Sequence, residues 1–314
     1  MRVSVAIPVQ NGGVLFRRCL DRLAAQDFGD DWEIVVADTC STDGSRELLV
    51  DREDEPVPVR WFRVEPGDFG HGRTRNELAA FARGETVAFL TQDSVPGTEN
   101  WLSELVETLE AFPEAAGVFG RHVAWPEHGP AIAASTRAHF EGFGAARACF
   151  RLDEGERIEE LDTTGRQFLH FYSDNNSALR KSVWRRIPYP DVAFGEDQLW
   201  AEAILRAGYG KAYSPHAWVY HSHRPPFFEA IRRAREEAAF YGDAFGYTVG
   251  APLGKCLRDA ARATRAQWKS LRGTGGGGSA ERWRTARDIF ALHLGHHQAW
   301  RKRRTVKATR ETGP

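Results

Sequence analysis

The chain has 314 residues, 42% of them hydrophobic and 27% charged, with a formal net charge of -1. This composition suits a soluble globular protein, the length allows one large domain or one domain plus a substantial extension, and the balanced charge supplies no global field for nucleic acid. Four cysteines at 19, 40, 149 and 256 show no paired spacing, which points to reduced thiols of a cytosolic protein rather than a disulfide frame or zinc site.

The N-terminal "MRVSVAIPVQ" has too short an apolar run for a signal peptide, and no run of about 18 apolar residues predicts a membrane span. "VSVAIPV" reads as a buried strand, followed by a helix over 14–26. "WEIVVAD" is a second strand, with a helix over 43–53. "VRWFRV" and "TVAFL" are the third and fourth strands, separated by the helix "TRNELAAFAR". "WLSELVETLEAF" is helical and "AAGVFGRHV" a further strand. This alternation predicts βαβ units and a mainly parallel sheet covered on both faces. Residues 126–170 read as a loop-rich insertion. "NNSALRKSVW" returns to strand and helix, and a helix over 196–210 follows. "KAYSPHAWVYHSH" reads as two short strands broken at Pro215. From 226 the pattern is helical, with a flexible joint "GTGGGGS" at 273–279 and a frayed end at 305–314.

Ligands of open α/β sheets bind at the carboxyl ends of the strands. Three polar clusters fall there: "PVQNGG", "ADTCSTDGS" and "TQDS". Asp38 ends its strand and can accept hydrogen bonds from a base or ribose, whereas Asp43 reads as a helix cap. Asp93 follows a buried strand, so its carboxylate must be hydrated, hydrogen-bonded or metal-bound. It is either a loop cap or a ligand of Mg²⁺ or Mn²⁺ shared with a diphosphate. In "FGHGRTRNE", His71, Arg73 and the helix N-terminal amides can face an anion, the alternative being that Arg73 and Arg75 are solvated. Glu196 and Asp197 open a helix, either as dipole-favoured residues or as a general base. His221 and His223 share one side of an extended segment and offer metal ligands. No Walker A loop, GxSxG elbow or GxGxxG fingerprint is present.

Together, "SVAIPVQNGG", "EIVVADTCSTDGS", "FGHGRTRN", "VAFLTQDSVP", "SDNNSALRKSVW", "FGEDQLWAEAILRAGYG" and "VYHSH" make the chain resemble the family 2 inverting glycosyltransferases. Within them it is most similar to the bacterial rhamnosyltransferase-type branch. The resemblance implies a GT-A fold, Rossmann-like with a mainly parallel mixed sheet flanked by helices. Residues 1–225 would be the catalytic domain and 226–314 a helical extension. It further implies that Pro8, Val9, Gln10 and Asp38 hold the nucleotide, with Arg73, Gln92 and Glu196 at the donor site. Asp93 and His221 would bind Mg²⁺ or Mn²⁺, His223 being the lesser partner, and Asp197 would be the catalytic base. Two departures stand out. Gln10 stands where an aromatic or other residue is frequent, and "TQD" lacks the first Asp of a DXD motif.

The resemblance makes the donor a nucleotide-diphosphate sugar, rhamnose or a similar hexose, and the acceptor a saccharide or a lipid-linked glycan. The basic and aromatic tail either contacts the inner face of the membrane or packs as a helical subdomain or homodimer contact. Nucleic acid is not expected as a partner. The competing readings are a sugar nucleotidyltransferase, which "PVQNGGVLFRR" matches poorly, and a non-catalytic sugar-nucleotide-binding scaffold.

Overall fold

A computed structural model describes residues 1–52, 57–273 and 278–311. Among these, nine strands form one sheet: β1 (Val3–Val9), β2 (Trp32–Asp38), β3 (Val59–Arg63), β4 (Thr86–Leu90), β5 (Val95–Pro96), β6 (Ala115–Val123), β7 (Ala148–Phe150), β8 (Asn176–Arg180) and β9 (Gly210–Tyr220). The helices are α1 (Gly13–Ala24), α2 (Ser45–Val50), α3 (His71–Phe81), α4 (Trp101–Ala111), α5 (Pro130–Glu141), α6 (Thr163–His170), α7 (Lys181–Trp184), α8 (Glu196–Arg206), α9 (Phe227–Phe245), α10 (Leu253–Gly273) and α11 (Ser279–Glu311).

The strand order is β3-β2-β1-β4-β8-β6-β9-β5, with β7 paired to β9. Strands β3, β2, β1 and β4 are mutually parallel. β1, β2 and β4 are almost wholly buried and largely apolar, as helices covering both sides require, whereas the edge strand β3 carries Arg60 and Arg63 and is only partly buried. β8 enters antiparallel to both β4 and β6. Its register sets Asn176, the first residue of β8, opposite Leu90, the last of β4. The segment before β8 therefore arrives beside the turn after β4. α1 docks through Phe16, Cys19, Leu20 and Leu23, one helical face at the 3.6-residue period. On the other side, Phe89, Phe119, Tyr172, Tyr189, Trp200 and Tyr213 form an aromatic core.

Two local expectations need correcting. The span 126–170 contains α5, β7 and α6, not a loop-rich insertion. α5 is rich in Ala, so it shows little apolar stripe. α6 carries a readable cap instead, the Asp162 Oδ1 accepting Gly165 N at 2.7 Å. β9 is also one strand, because the break expected at Pro215 is a bulge. The partner of Gly120 is Ser214, and that of His122 is already Val219. Asn176 Nδ2 donates into the bulge, to Ala217 O at 2.8 Å and Arg121 O at 3.2 Å. A strand interior tolerates proline in this way.

The chain divides into two compact units, one of residues 1–123 and 136–221, the other of 124–135 and 222 onward. In the second unit Arg224 is nearly buried between Glu281 and Asp288, at 2.9 Å from each, and also donates to His128 O. α9 and α11 pack closely at Gly295, where a Cβ would lie 2.5 Å from Ile231 O. Most of the glycine-rich joint expected at 273–279 lies outside the described residues. The backbone of α11 continues to Glu311, past the point where fraying was expected. No described helix is long and apolar enough to cross a membrane.

Candidate active site

β2, β1 and β4 are adjacent and parallel, so their carboxyl ends form one edge. Pro8 and Val9 close β1, and Gln10 is exposed just beyond them. Gln10 N donates to Gln92 Oε1 at 2.7 Å, tying the end of β1 to the turn after β4. The loops after β1 and β2 are knitted together. Asn11 N donates to Ser41 Oγ at 2.9 Å, and Thr42 N to Asn11 Oδ1 at 2.8 Å. Asn11 adopts a φ of 52°, a left-handed conformation that asparagine tolerates.

Asp43 takes the capping role expected of it, at two helices. It accepts Gly13 N at 2.8 Å and Ser45 N at 3.1 Å, the first residues of α1 and α2. Burial opposes its charge, but the hydrogen bonds from Ser45 and Gly13 outweigh it and hold the carboxyl below the usual range. The Asp38 carboxylate is fully buried, accepting Ser41 N at 3.1 Å and the Arg46 guanidinium at 3.2 Å. At the end of β3, a cavity of about 580 Å³ is lined by Phe62, Arg63, Val64, Glu65 and Phe81. Arg63 Nε meets Cys40 Sγ at 3.2 Å, linking this cavity to the Asp38 loop.

Asp93 sits in a tight turn closed by Ser94 N to Thr91 O at 3.0 Å and by Thr91 Oγ1 to Ser94 Oγ at 2.8 Å. The chain then enters β5, where Val95 pairs with Tyr220 of β9. His221 is the next residue and its amide donates to Val123 O at 2.9 Å. Strand pairing thus brings His221 Nε2 to 3.8 Å from Asp93 Oδ1. That is too long for a hydrogen bond. It is short enough for one divalent cation to touch both, since such ions bind O and N ligands at about 2 Å. One oxygen and one imidazole nitrogen, both partly shielded from water, are a donor set that fits such an ion. His122 of β6 packs edge-on against His221, with ring centroids 5.1 Å apart, and its buried Nε2 has no hydrogen-bond partner among the described residues. Burial first, then the charges of His221 and His139, hold the His122 ring well below the usual histidine range. His223 lies two residues beyond His221, in the second unit.

The third cluster is built around Arg75. α3 starts at His71 and buries Arg75, so that residue is not solvated. Its guanidinium meets Asp174 Oδ2 at 3.2 Å and Glu196 Oε1 at 2.7 Å. Asp174 lies two residues before β8, and its Oδ1 accepts Ser177 Oγ at 2.6 Å and Tyr189 OH at 3.0 Å. Asp174 N donates to Asp197 Oδ2 at 3.3 Å, while Asp197 Oδ1 accepts Gln198 N at 2.8 Å. Three carboxylates share one guanidinium, an arrangement that favours retaining a proton. Burial, with Glu196 and Asp174 beside it, pushes the Asp197 carboxyl well above the ordinary range. Burial likewise raises Asp174 to about 6 against the pull of Arg75. Arg73, two residues before Arg75, is half-exposed and paired with Asp191 at 2.7 Å, so its guanidinium braces the segment leading to α8. His71 is held below the usual histidine range by burial, with Arg75 adding to that and Glu196 opposing it.

Sequence reasoning missed Asp174, Tyr189 and His122, and left Arg75 undecided. The polar run "SDNN" ahead of β8 was the available signal for Asp174. Nothing in the sequence separates His122 from an ordinary strand residue.

Residues 4–186, more than half of the chain, match the model of the glycosyl transferase family 2. The chain belongs to glycosyl transferase family 2. It is 27% identical over 244 residues to the O-antigen chain rhamnosyltransferase RfbN of Salmonella typhimurium, covering 77% of this chain and 73% of that protein. It is 27% identical over 212 residues to the O-antigen chain rhamnosyltransferase WbaN of Salmonella anatum, covering 67% of this chain and 62% of WbaN, less than two thirds of that relative. Among solved structures it resembles the mannosyltransferase PcManGT from Pyrobaculum calidifontis in complex with GDP-Man and Mn²⁺. The TM-score is 0.57 at 20% identity, over 100% of this chain and 76% of that one. It also resembles S. aureus TarS 1–349 in complex with UDP-GlcNAc, with a TM-score of 0.56 at 17% identity, over 96% and 92% of the two chains. These likenesses are of fold, the GT-A arrangement. This family 2 member is therefore a glycosyltransferase, which sets the nucleotidyltransferase reading aside.

Proposed function

We propose that this glycosyltransferase moves rhamnose or a similar hexose, with inversion, from a nucleotide-diphosphate sugar to a hydroxyl of a saccharide or lipid-linked acceptor. Residues 1–225 would form the catalytic domain, working at the cytoplasmic face of the membrane in cell-surface glycan synthesis. The observation that carries the reading is the Asp197 carboxylate. It is held by the Asp174 amide at the N-terminus of α8, and its buried, acid-rich surroundings raise its proton affinity. A carboxylate of raised proton affinity is the stronger base once it is ionised.

In this reading Asp197 accepts the proton of the acceptor hydroxyl as that oxygen attacks the anomeric carbon, opposite the departing diphosphate. Glu196 is held by Arg75 and keeps the first turn of α8 in place for that attack. Pro8, Val9, Gln10 and the Asp38 loop flank the nucleotide, and Gln92 holds the β1 and β4 ends together under it. Arg73 braces the loop before α8, within reach of the donor. Asp93 and His221 would hold Mg²⁺ or Mn²⁺, which when bound would offset charge on the diphosphate leaving group. The rhamnosyl preference is supported by the names of the two Salmonella relatives. The helices from 226 onward would meet the membrane surface.

Asp197→Asn tests the reading. Transfer should fall by at least ~10²-fold, the lower bound for loss of a general base, while donor affinity stays within a few-fold. Unchanged turnover would remove Asp197 as the base. Donor binding with no turnover in the unmodified protein, against every acceptor tried, would favour the scaffold reading.

A further inference from the structure

The neutral total charge conceals a sharp division. Residues 1–221 carry 23 Lys and Arg against 35 Asp and Glu, whereas residues 222–314 carry 19 against 8. Nearly half of the basic residues thus lie in the last third of the chain, where acidic residues are scarce. Such asymmetry marks a segment with an anionic partner.

Within the second unit, α9, the connection after it and α11 enclose a groove of about 970 Å³. Its walls present Arg235, Lys302, Arg303 and Arg304, with Trp300 and Thr248 between them. Two acids, Glu236 and Asp243, also line it. Asp243 accepts from Arg303 Nη2 at 3.1 Å, and Tyr247 O accepts from Arg303 Nη1 at 2.9 Å, so Arg303 is pinned to the α9 side. Arg304 lies 5.1 Å over the Trp300 ring. Arg235 is about half-exposed beside Glu236, and Lys302 is exposed. The groove is therefore cationic after its internal pairings are made. The second unit also carries the two most exposed large apolar side chains among the described residues, Phe228 at 82% and Trp283 at 73%. Phe228 and Trp283 lie near the starts of α9 and α11 and do not line the groove, but they belong to the same basic unit. Exposed aromatic rings on a basic unit suit a lipid headgroup region, where rings enter the interface and cations meet phosphate.

We propose that the α9–α11 groove seats the phosphate headgroups of an anionic lipid bilayer. This rests on the membrane-face reading above and gives it a defined site. The test is co-sedimentation of the full chain with vesicles of phosphatidylcholine, alone or mixed with phosphatidylglycerol, at low and high salt. The protein should bind the mixed vesicles and not the neutral ones, and should release as salt screens the attraction. A basic side chain at such a surface is worth roughly fivefold in partitioning. The double variant Lys302→Glu/Arg304→Glu should therefore bind at least ~10-fold more weakly. A control, Arg258→Glu/Arg262→Glu on α10, should lose much less. Both variants should keep the thermal midpoint of the parent, since all four side chains are exposed. No binding to anionic vesicles by the parent overturns the groove and the membrane reading together. Parent binding with equal loss in both variants, or none in either, overturns the groove alone and leaves the membrane reading in place. Competition by inorganic phosphate as effective as that by vesicles, or tighter binding to duplex DNA, overturns the bilayer as its occupant.

Discussion

A buried arginine with three carboxylates for company decides the character of the site. Arg75 neutralises one negative charge, and Asp174, Glu196 and Asp197 supply three. Removing Arg75 would strand buried carboxylates, which costs more than the pair itself contributes. The same crowding makes Asp174 a measurable titration. Its folded-state value is raised to about 6, above the 3.8 of an unperturbed Asp, so between those two pH values only the folded chain keeps the proton. Stability must then fall as pH rises through that window and level off above it. The loss attributable to Asp174 is on the order of 2–3 kcal/mol by the energy of a pKa shift. Asp174→Asn preserves the bonds from Ser177 and Tyr189 and should flatten that part of the profile. Urea melts across pH 3.5–7 would show it, and an unchanged difference between the two proteins would clear Asp174 as the source.

Among the elements, α3 and the loop before α8 are fitted together without slack. A Cβ at Gly72 would stand 2.0 Å from Pro190 O and 3.4 Å from Glu196 Cβ. Backbone cannot yield cheaply there, so Gly72→Ala should destabilise by about 1–3 kcal/mol, as overpacking does. It should also push Glu196 and Asp197 off their positions, lowering kcat while donor affinity is nearly kept. Full kcat in the folded variant would separate this contact from catalysis. The helix α3 was readable from "TRNELAAFAR", although its first turn at His71 was not. Hydrophobic spacing starts only where apolar residues begin, and this turn is held by Gly72 and the Arg75 ion pairs. Likewise β9 was read as broken because proline removes a ladder donor, while the remedy, the Asn176 side chain, comes from a strand 34 residues earlier.

For the molecule as a whole, nucleotide and metal should act as one ligand on stability. A ligand bound only by the folded state, at 100 times its Kd, adds about 2.7 kcal/mol. That corresponds to a thermal shift of about 5 °C for a domain of this size. Titrating UDP, GDP and dTDP with and without Mn²⁺ or Mg²⁺ should reveal one nucleotide with such a metal-dependent shift. Asp93→Ala should abolish the metal-dependent part and leave the apo midpoint unchanged, because Asp93 is partly exposed in a turn. A full metal-dependent shift in that variant would show that the ion is held elsewhere. The net charge of -1 illustrates the danger of whole-chain averages. It conceals an acidic first part and a basic last part, and only their separate counts point to an anionic partner.

Local order in the sequence was enough for the alternating strands and helices, the strand-end polar clusters and the family they belong to. Each of these is encoded by neighbouring residues, through periodicity or short motifs. Tertiary structure alone decided which charges are buried and which residues meet. Arg73 and Arg75 are two positions apart in one helical turn, yet one braces a surface loop and the other is enclosed. Asp93 and His221 are brought to 3.8 Å by the pairing of β5 with β9, and Asp174 reaches Asp197 because β8 runs antiparallel beside β4. Burial and long-range pairing depend on how distant segments pack, so no reading of adjacent residues could supply them.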